Sequence, residues 1–194
     1  MANTSKINGF KPVKHITGAP YNGQANLYEV SSSDSVPVFV GDLVKLSTNA
    51  STSGVPCVQA VVGASAQITV GPILGSVVGI LNAKMDPLDG NMTAGSIALD
   101  TPQYRVASTK QFVLVADAPD LIYEAEADAA VTLANIGFNV GVGASAHTTP
   151  LLNGVSPMYV YSTTTPDATS TRPLQIVGVV KRADNESNAA FNKL

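Results

Sequence analysis

The longest apolar runs in this sequence, such as residues 77–81, have the length of a single β-strand, and glycine interrupts them. The chain holds 16 glycines and 12 prolines, which divide it into short segments. The 3.6-residue periodicity of an amphipathic helix is rarely sustained, whereas valine and threonine abound. The pattern predicts an all-β fold, an antiparallel sandwich or barrel, with one short helix and an extended N-terminal arm.

Several segments have the composition of strands bounded by turn residues. They are 24–30, 36–40, 42–46, 55–62, 73–81, 96–99, 104–107, 111–116, 121–126, 158–162 and 174–182. Residues 129–135 are predicted as the short helix, with Asp128 as its N-cap and Gly137 ending it.

Residues 1–23 differ in composition from the remainder, which we assign to a single β-rich domain over residues 24–194. They contain Lys6, Lys11, Lys14 and His15, together with glycines and prolines, and no acidic residue. Such a segment offers little apolar surface to bury. We therefore expect an extended arm that the domain does not need for folding.

Negative charge is concentrated in residues 117–128, which contain five acidic residues and no basic one. In one interpretation, this segment and the arm are two solvated surface patches. In the other, they meet on different subunits of an assembly, where complementary charge sets specificity and encounter rate. In an assembly, we predict contacts with further subunits, either copies of this chain or a different protein, at Lys6, Phe10, Lys11, Lys14, Asp120, Glu124 and Glu126.

The composition argues against several classes of protein. A net charge of −3 with 13% charged residues disfavours nucleic-acid binding through a basic face. Cys57 is the single cysteine, so we expect neither an internal disulfide nor a cysteine-based zinc site, and its apolar strand predicts a small core residue. The first thirty residues resemble no secretion signal, and no apolar run has membrane-spanning length. We expect a soluble protein made in a reducing compartment.

The candidate catalytic and ligand-binding motifs are weak. Neither His15 nor His147 has a patterned acidic partner. Residues 141–146 match a dinucleotide fingerprint, but no helix follows them, so a flexible glycine loop is expected. Residues 86–91 lack the alternation of a calcium loop and predict a tight turn. The pair Asp117 and Asp120 lacks the aromatic platform of a glycoside-binding cleft. We predict no enzymatic activity and no catalytic, cofactor or metal site.

A series of short stretches, in this order, carries a resemblance that spans nearly the whole chain. It comprises GFKPVKH at 9–15, GAPYNG at 18–23, VFVGDLV at 38–44, GSVVG at 75–79, YRVAST at 104–109, FVLVAD at 112–117, PDLIYE at 119–124, PLQIVGVVKR at 173–182 and DNE at 184–186. The series resembles a family of small virion structural proteins of tailed bacteriophages. The chain departs from that family's pattern in its polar ending, residues 186–194.

The resemblance implies a non-enzymatic, oligomeric, β-rich capsid decoration (cement) protein. It would bind the outer surface of the expanded head and stabilise it through contacts between subunits. The implied partners are the major capsid protein and further copies of this chain, as a trimer first and a dimer second, with no nucleic acid, membrane or cofactor. The protein would be synthesised in the bacterial cytoplasm and located in the virion. The alternative is another virion structural or host-surface-binding β-domain, such as a head fibre base or tail component.

Overall fold

Ten strands and one 3₁₀ turn form the regular structure in the computed structural model, which describes residues 3–61, 72–81, 104–144, 154–163, 166–168 and 172–194. The strands are β1 Lys11–His15, β2 Asn26–Val30, β3 Leu43–Leu46, β4 Val58–Ala60, β5 Gly75–Ile80, β6 Gln111–Ala116, β7 Leu121–Glu124, β8 Asn139–Ala144, β9 Met158–Tyr161 and β10 Leu174–Gln175. The all-β prediction is confirmed, because these strands form three antiparallel sheets and the described ranges contain no α-helix.

The largest sheet has five strands in the order β2, β6, β5, β3 and β4. The interior strand β6, QFVLVA, is apolar at nearly every position and pairs with β2 on one side and β5 on the other. The two outer strands approach each other at Glu29, whose N–H donates to the carbonyl of Pro56 at 3.0 Å and which forms a parallel bridge with Cys57.

The buried carboxylate of Glu29 holds the loop after β3 against β2. It accepts hydrogen bonds from the hydroxyls of Ser51 at 3.3 Å and Thr52 at 3.2 Å, and from the hydroxyl of Ser53. Burial raises the pKa of Glu29, but the hydrogen bonds from the Ser53 hydroxyl and from the N–H and hydroxyl of Thr52, with the positive charge of Lys110, lower it by more, so the net shift is downward. The carboxylate therefore remains ionised while it fixes the loop.

The other two sheets are β10–β8–β9 and the two-stranded ribbon β1–β7. Gly143 of β8 faces Tyr159 of β9 so closely that an added Cβ would lie 2.4 Å from the ring. The buried valines of β8 and β9 belong to the same apolar cluster as those of the largest sheet, namely Val140, Val142 and Val160 with Val44, Val77 and Val115. The sheet β10–β8–β9 and the five-stranded sheet therefore share one core.

The N-terminal segment differs from its sequence-based description as an arm of low burial. Phe10 is 2% exposed and lies in the core, and its N–H donates to the carbonyl of Gly41 at 2.8 Å. Gly9 has a φ of +67°, and an added Cβ would lie 2.5 Å from the Gly41 oxygen. β1 then pairs with β7, with Lys11 opposite Glu124. The low-burial expectation is wrong for Gly9 and Phe10, because the chain around Gly41, distant in sequence, supplies contacts that local composition does not reveal. The residues of β1 themselves are exposed or half-buried.

The predicted helix over 129–135 is also wrong. Leu133–Asn135 forms a single 3₁₀ turn with no buried residue. Asp128 does not cap it, because its carboxylate accepts hydrogen bonds from the N–H and the hydroxyl of Ser162 at 2.7 and 2.8 Å. A longer helix would have no apolar face to bury, since Leu133 is 62% exposed.

Other predicted segments also differ from the observed strands. Residues 141–144, expected in a flexible loop, lie in β8, and the predicted strand 174–182 narrows to β10. The predicted strands 36–40 and 104–107 meet only at one antiparallel bridge, between Val38 and Arg105. The predicted strand 96–99 lies outside the described residues.

Arg105 is fully buried and holds several loops together. Its guanidinium donates four hydrogen bonds to carbonyl oxygens, those of Thr109 (2.8 Å), Val36 (2.6 Å), Ser31 (2.6 Å) and Asp34 (2.8 Å). Burial lowers the pKa of Arg105 and the negative charge of Asp34 partly offsets this, although a guanidinium keeps its proton in proteins. The planar fork of donors thus satisfies a buried charge and a set of loop carbonyls together.

We predict that Arg105→Met lowers the free energy of unfolding by about 3–5 kcal/mol, because it removes these donors and leaves buried carbonyls unpaired. Arg182→Met is the matched control, since the Arg182 side chain is 41% exposed in its ion pair and its loss is expected to cost at most about 1 kcal/mol. Urea unfolding measures both. Equal, small effects would contradict the structural role of Arg105.

We further predict that Phe10→Ala costs about 3–5 kcal/mol, as removal of a core aromatic does. Val13→Ala, in the same segment but 45% exposed, is expected to cost less than about 1 kcal/mol. If both variants unfold like the parent protein, the N-terminal segment is a separate arm after all.

Candidate functional site

The ribbon β1–β7 brings four of the sequence-predicted contact residues into one polar cleft of about 170 Å³. Lys6 and Lys11 line this polar cleft together with Glu124 and Glu126. The C-terminal region completes it with Arg182 and Lys193. Phe10 and Asp120 do not line the polar cleft, and Lys14 lines neither this cleft nor the one described next.

A second, apolar cleft of about 360 Å³ includes Phe10 and Asp120 in its lining. The other residues that line it are mainly aliphatic and come from β7, β10 and the chain before β5. Ile16 and Val177 belong to this lining although they are 70% and 55% exposed. The apolar surface of the cleft thus continues onto the outside of the molecule.

Glu126 is buried and holds the beginning of the chain. Its two carboxylate oxygens accept hydrogen bonds from the hydroxyl of Ser5 at 2.8 Å and from the N–H of Lys6 at 2.7 Å. Its main chain bridges Lys193 near the C-terminus. Glu126 therefore positions Lys6, near the N-terminus, and Lys193, near the C-terminus.

The remaining acidic residues of 117–128 also have partners in their own chain. Glu124 pairs with Arg182 at 3.0 Å, and Asp120 lies 3.0 Å from Nδ1 of His15. This hydrogen bond, aided by the charge of His15, lowers the pKa of Asp120. Asp128 binds Ser162, as described above, and accepts a hydrogen bond from Thr163 at 2.6 Å.

Asp117 anchors β2 and alters the titration of two tyrosines. It accepts hydrogen bonds from the hydroxyl of Tyr28 at 2.6 Å and from the side-chain amide of Asn26 at 3.0 Å. Burial, the Asp117 hydrogen bond and the Asp117 charge raise the pKa of Tyr28 to about 12. Burial raises the pKa of Tyr123 to about 12 as well, with a contribution from the charge of Asp117.

Basic and acidic residues that one interpretation placed on different subunits lie beside each other in one chain. β1 lies antiparallel beside β7, and Lys11 of β1 is opposite Glu124, the acidic residue of β7. Glu126 also departs from the interpretation as a solvated patch, because it is 4% exposed. Contacts between different subunits remain a prediction.

Two contributors to the polar cleft, Arg182 and Lys193, were missed in the sequence. Lys193 lies in the polar ending, where Asn192 and Leu194 hydrogen-bond to the main chain of Ala127 and Ala125. A run of polar residues rarely predicts β pairing. The positive charge of Lys193 was therefore the one feature of the sequence that could have assigned this residue to a charged site. Arg182 stood inside a predicted strand, with its acidic partner far away in sequence.

The weaker motifs have these positions. Cys57 is buried, as predicted, and burial raises the pKa of its thiol, which reduces its nucleophilicity. His15 pairs with Asp120, whereas His147 and residues 86–91 lie outside the described residues.

Within the described ranges, no three His, Cys, Asp or Glu side chains are grouped to hold a metal ion. No helix in those ranges is long and apolar enough to span a membrane.

Comparison with known proteins gives no family model, no curated protein and no solved structure that matches this chain.

We predict that Tyr28 and Tyr123 release their phenolic protons near pH 12, about two pH units above an unfolded tyrosine. Between these values the unfolded state binds fewer protons, so the free energy of unfolding falls as pH rises. NMR of tyrosine-labelled protein follows each titration.

Asp117→Asn is expected to lower the pKa of Tyr28 without returning it to 10, because burial is the larger cause. Asp120→Asn serves as the matched control and is expected to leave Tyr28 unchanged. Identical Tyr28 titrations in the parent protein and Asp117→Asn would refute the assigned contact.

Proposed function

We propose that this chain is a bacteriophage capsid decoration protein that binds the outer surface of the expanded head. The observation that carries the proposal is the apolar cleft with exposed aliphatic residues at its edge, Ile16 and Val177. Single exposed aliphatic residues are common, but apolar surface that continues into a cleft marks an interaction site. The ordered resemblance to virion structural proteins gives the class of partner, the major capsid protein.

Further exposed aliphatic residues extend this surface. Leu133 and Ile136 are 62% and 42% exposed, and the next residue, Gly137, donates its N–H to the carbonyl of Ile176 at 2.8 Å. Val177 follows directly, so the 3₁₀ turn lies beside the edge of the apolar cleft. This arrangement supports a contact surface larger than the cleft alone.

Decoration acts through mass action. A subunit that binds only the expanded shell lowers the free energy of that shell, and many copies add their contributions. Contacts with further copies of this chain, as a trimer first and a dimer second, would add to the area that each copy covers. No catalytic turnover is part of the proposal.

We also propose the finer architecture. The approach of the outer strands at Glu29 and Cys57 supports a barrel-like closure of the five-stranded sheet. The core that this sheet shares with β8 and β9 supports a sandwich of the second sheet against it.

A second candidate function is a head fibre base, a tail component or a host-surface-binding β-domain. The same exposed aliphatic surface would serve attachment to another virion protein. Particle location separates the two functions, because a decoration protein covers the head and a fibre base or tail component does not.

We predict that purified protein co-sediments with expanded heads of the phage that encodes it, and does not co-sediment with unexpanded heads. Val177→Asp is expected to lower occupancy at least about tenfold, because it places a charge in apolar surface that the shell would bury on binding. Val106→Asp is the matched control, since Val106 is 51% exposed and does not line the apolar cleft.

Equal binding to unexpanded heads, or no binding to either, would contradict the decoration function. An equal loss of occupancy in Val177→Asp and Val106→Asp would show that binding to heads does not depend on the apolar cleft. Light scattering on the free protein tests the oligomer, with a trimer expected.

A further inference from the structure

The polar cleft presents three lysines from three separate and well-fixed parts of the chain. The N–H of Lys6 is bound to Glu126 at 2.7 Å, and Lys11 stands in β1 opposite Glu124. The main chain of Lys193 is held by Asn185, whose side chain accepts from the Lys193 N–H at 2.8 Å and donates to its carbonyl at 3.0 Å. The three side chains therefore extend from backbone positions that are already ordered.

Neither carboxylate of the polar cleft forms an ion pair with these ammonium groups. Glu124 is engaged by Arg182 at 3.0 Å, and Glu126 by Ser5 and the main chain of Lys6. Within the described part of the chain, no ion pair joins a carboxylate to the ammonium group of any of the three lysines. The cleft thus carries a local surplus of positive charge on a protein whose net charge is −3.

The lining adds a neutral donor. Asn8 also lines the cleft and, among the described residues, its side-chain amide makes no hydrogen bond. A lining that includes an asparagine and three lysines around a volume of about 170 Å³ suits a compact oxygen anion, such as a side-chain carboxylate.

We propose that the polar cleft binds the carboxylates of an acidic peptide segment on a partner protein. Charge complementarity selects this occupant, because the lysines are ammonium donors without a carboxylate partner. A long nucleic acid is disfavoured, because the net charge of −3 opposes the approach of a polyanion and a cleft of about 170 Å³ contacts few phosphates. The assignment of that partner to the capsid shell rests on the proposed function, whereas carboxylate recognition belongs to the cleft itself.

The test uses the purified full-length protein and a fluorescent peptide of alternating aspartate and glycine, with the asparagine version as the neutral probe. Fluorescence anisotropy at low salt is expected to show binding of the aspartate peptide alone. Lys11→Met and Lys193→Met are each expected to weaken binding about threefold, and Lys6→Met/Lys11→Met/Lys193→Met about thirtyfold. The affinity of the parent protein is expected to fall with added salt.

Lys14→Met is the matched control. Lys14 is an exposed lysine of the same strand β1 that lies outside the polar cleft, so its replacement is expected to leave the affinity unchanged. Urea unfolding of every variant checks that the fold is retained, which the exposed positions of Lys6 and Lys11 favour.

Three results would overturn the proposal. They are absence of peptide binding, an equal loss in Lys14→Met and Lys11→Met, and tighter binding of a single-stranded oligonucleotide than of the peptide. Peptide binding without co-sedimentation on heads would contradict the decoration function and leave the carboxylate site standing. Co-sedimentation on heads without peptide binding would contradict the carboxylate site and leave the decoration function standing.

Discussion

Hydrogen bonds to the segment 125–128 hold together parts of the chain that are farthest apart in sequence. Glu126 binds the N-terminal residues through its carboxylate and β9 through its carbonyl, which accepts from Val160 at 2.7 Å. The main chain of Ala125 exchanges hydrogen bonds with Leu194. Because Glu126 is buried, losing its partners would leave a charge unpaired away from water. The two termini, the ribbon β1–β7 and both clefts therefore depend on this segment.

Patterns within short windows predicted the fold class and most strands, because short apolar and β-branched runs bounded by turn residues are local features of the sequence. β6 occupies the predicted range 111–116, and β2 and β3 lie inside theirs. Non-local partners were not predictable in this way. β1 pairs with a strand encoded far downstream, and Arg105 looked like an ordinary strand residue although it collects carbonyls from several loops. Charge alone suggested that Lys6 and Lys11 lie near Glu124 and Glu126. The pairing of β1 with β7 was needed to show that these residues line one cleft of the same chain.

The two clefts suit different parts of a binding event. In the proposed function, apolar surface around Ile16 and Val177 supplies affinity, since buried apolar area is the main favourable term in association. In the proposed binding of an acidic segment, the lysines of the polar cleft would supply orientation and encounter rate, which charge complementarity governs more than it governs affinity. Because the ribbon β1–β7 contributes to both clefts, a partner that contacts one is aligned for the other. This division would let one small subunit recognise a specific position on a repeating shell.

Electron microscopy of particles with and without this protein tests the proposed function most directly. We expect density for the chain on the outer surface of expanded heads, with the apolar cleft against the shell, and bare heads when the protein is omitted. Density confined to the tail or to a fibre attachment point, or identical heads in both samples, would contradict the decoration account.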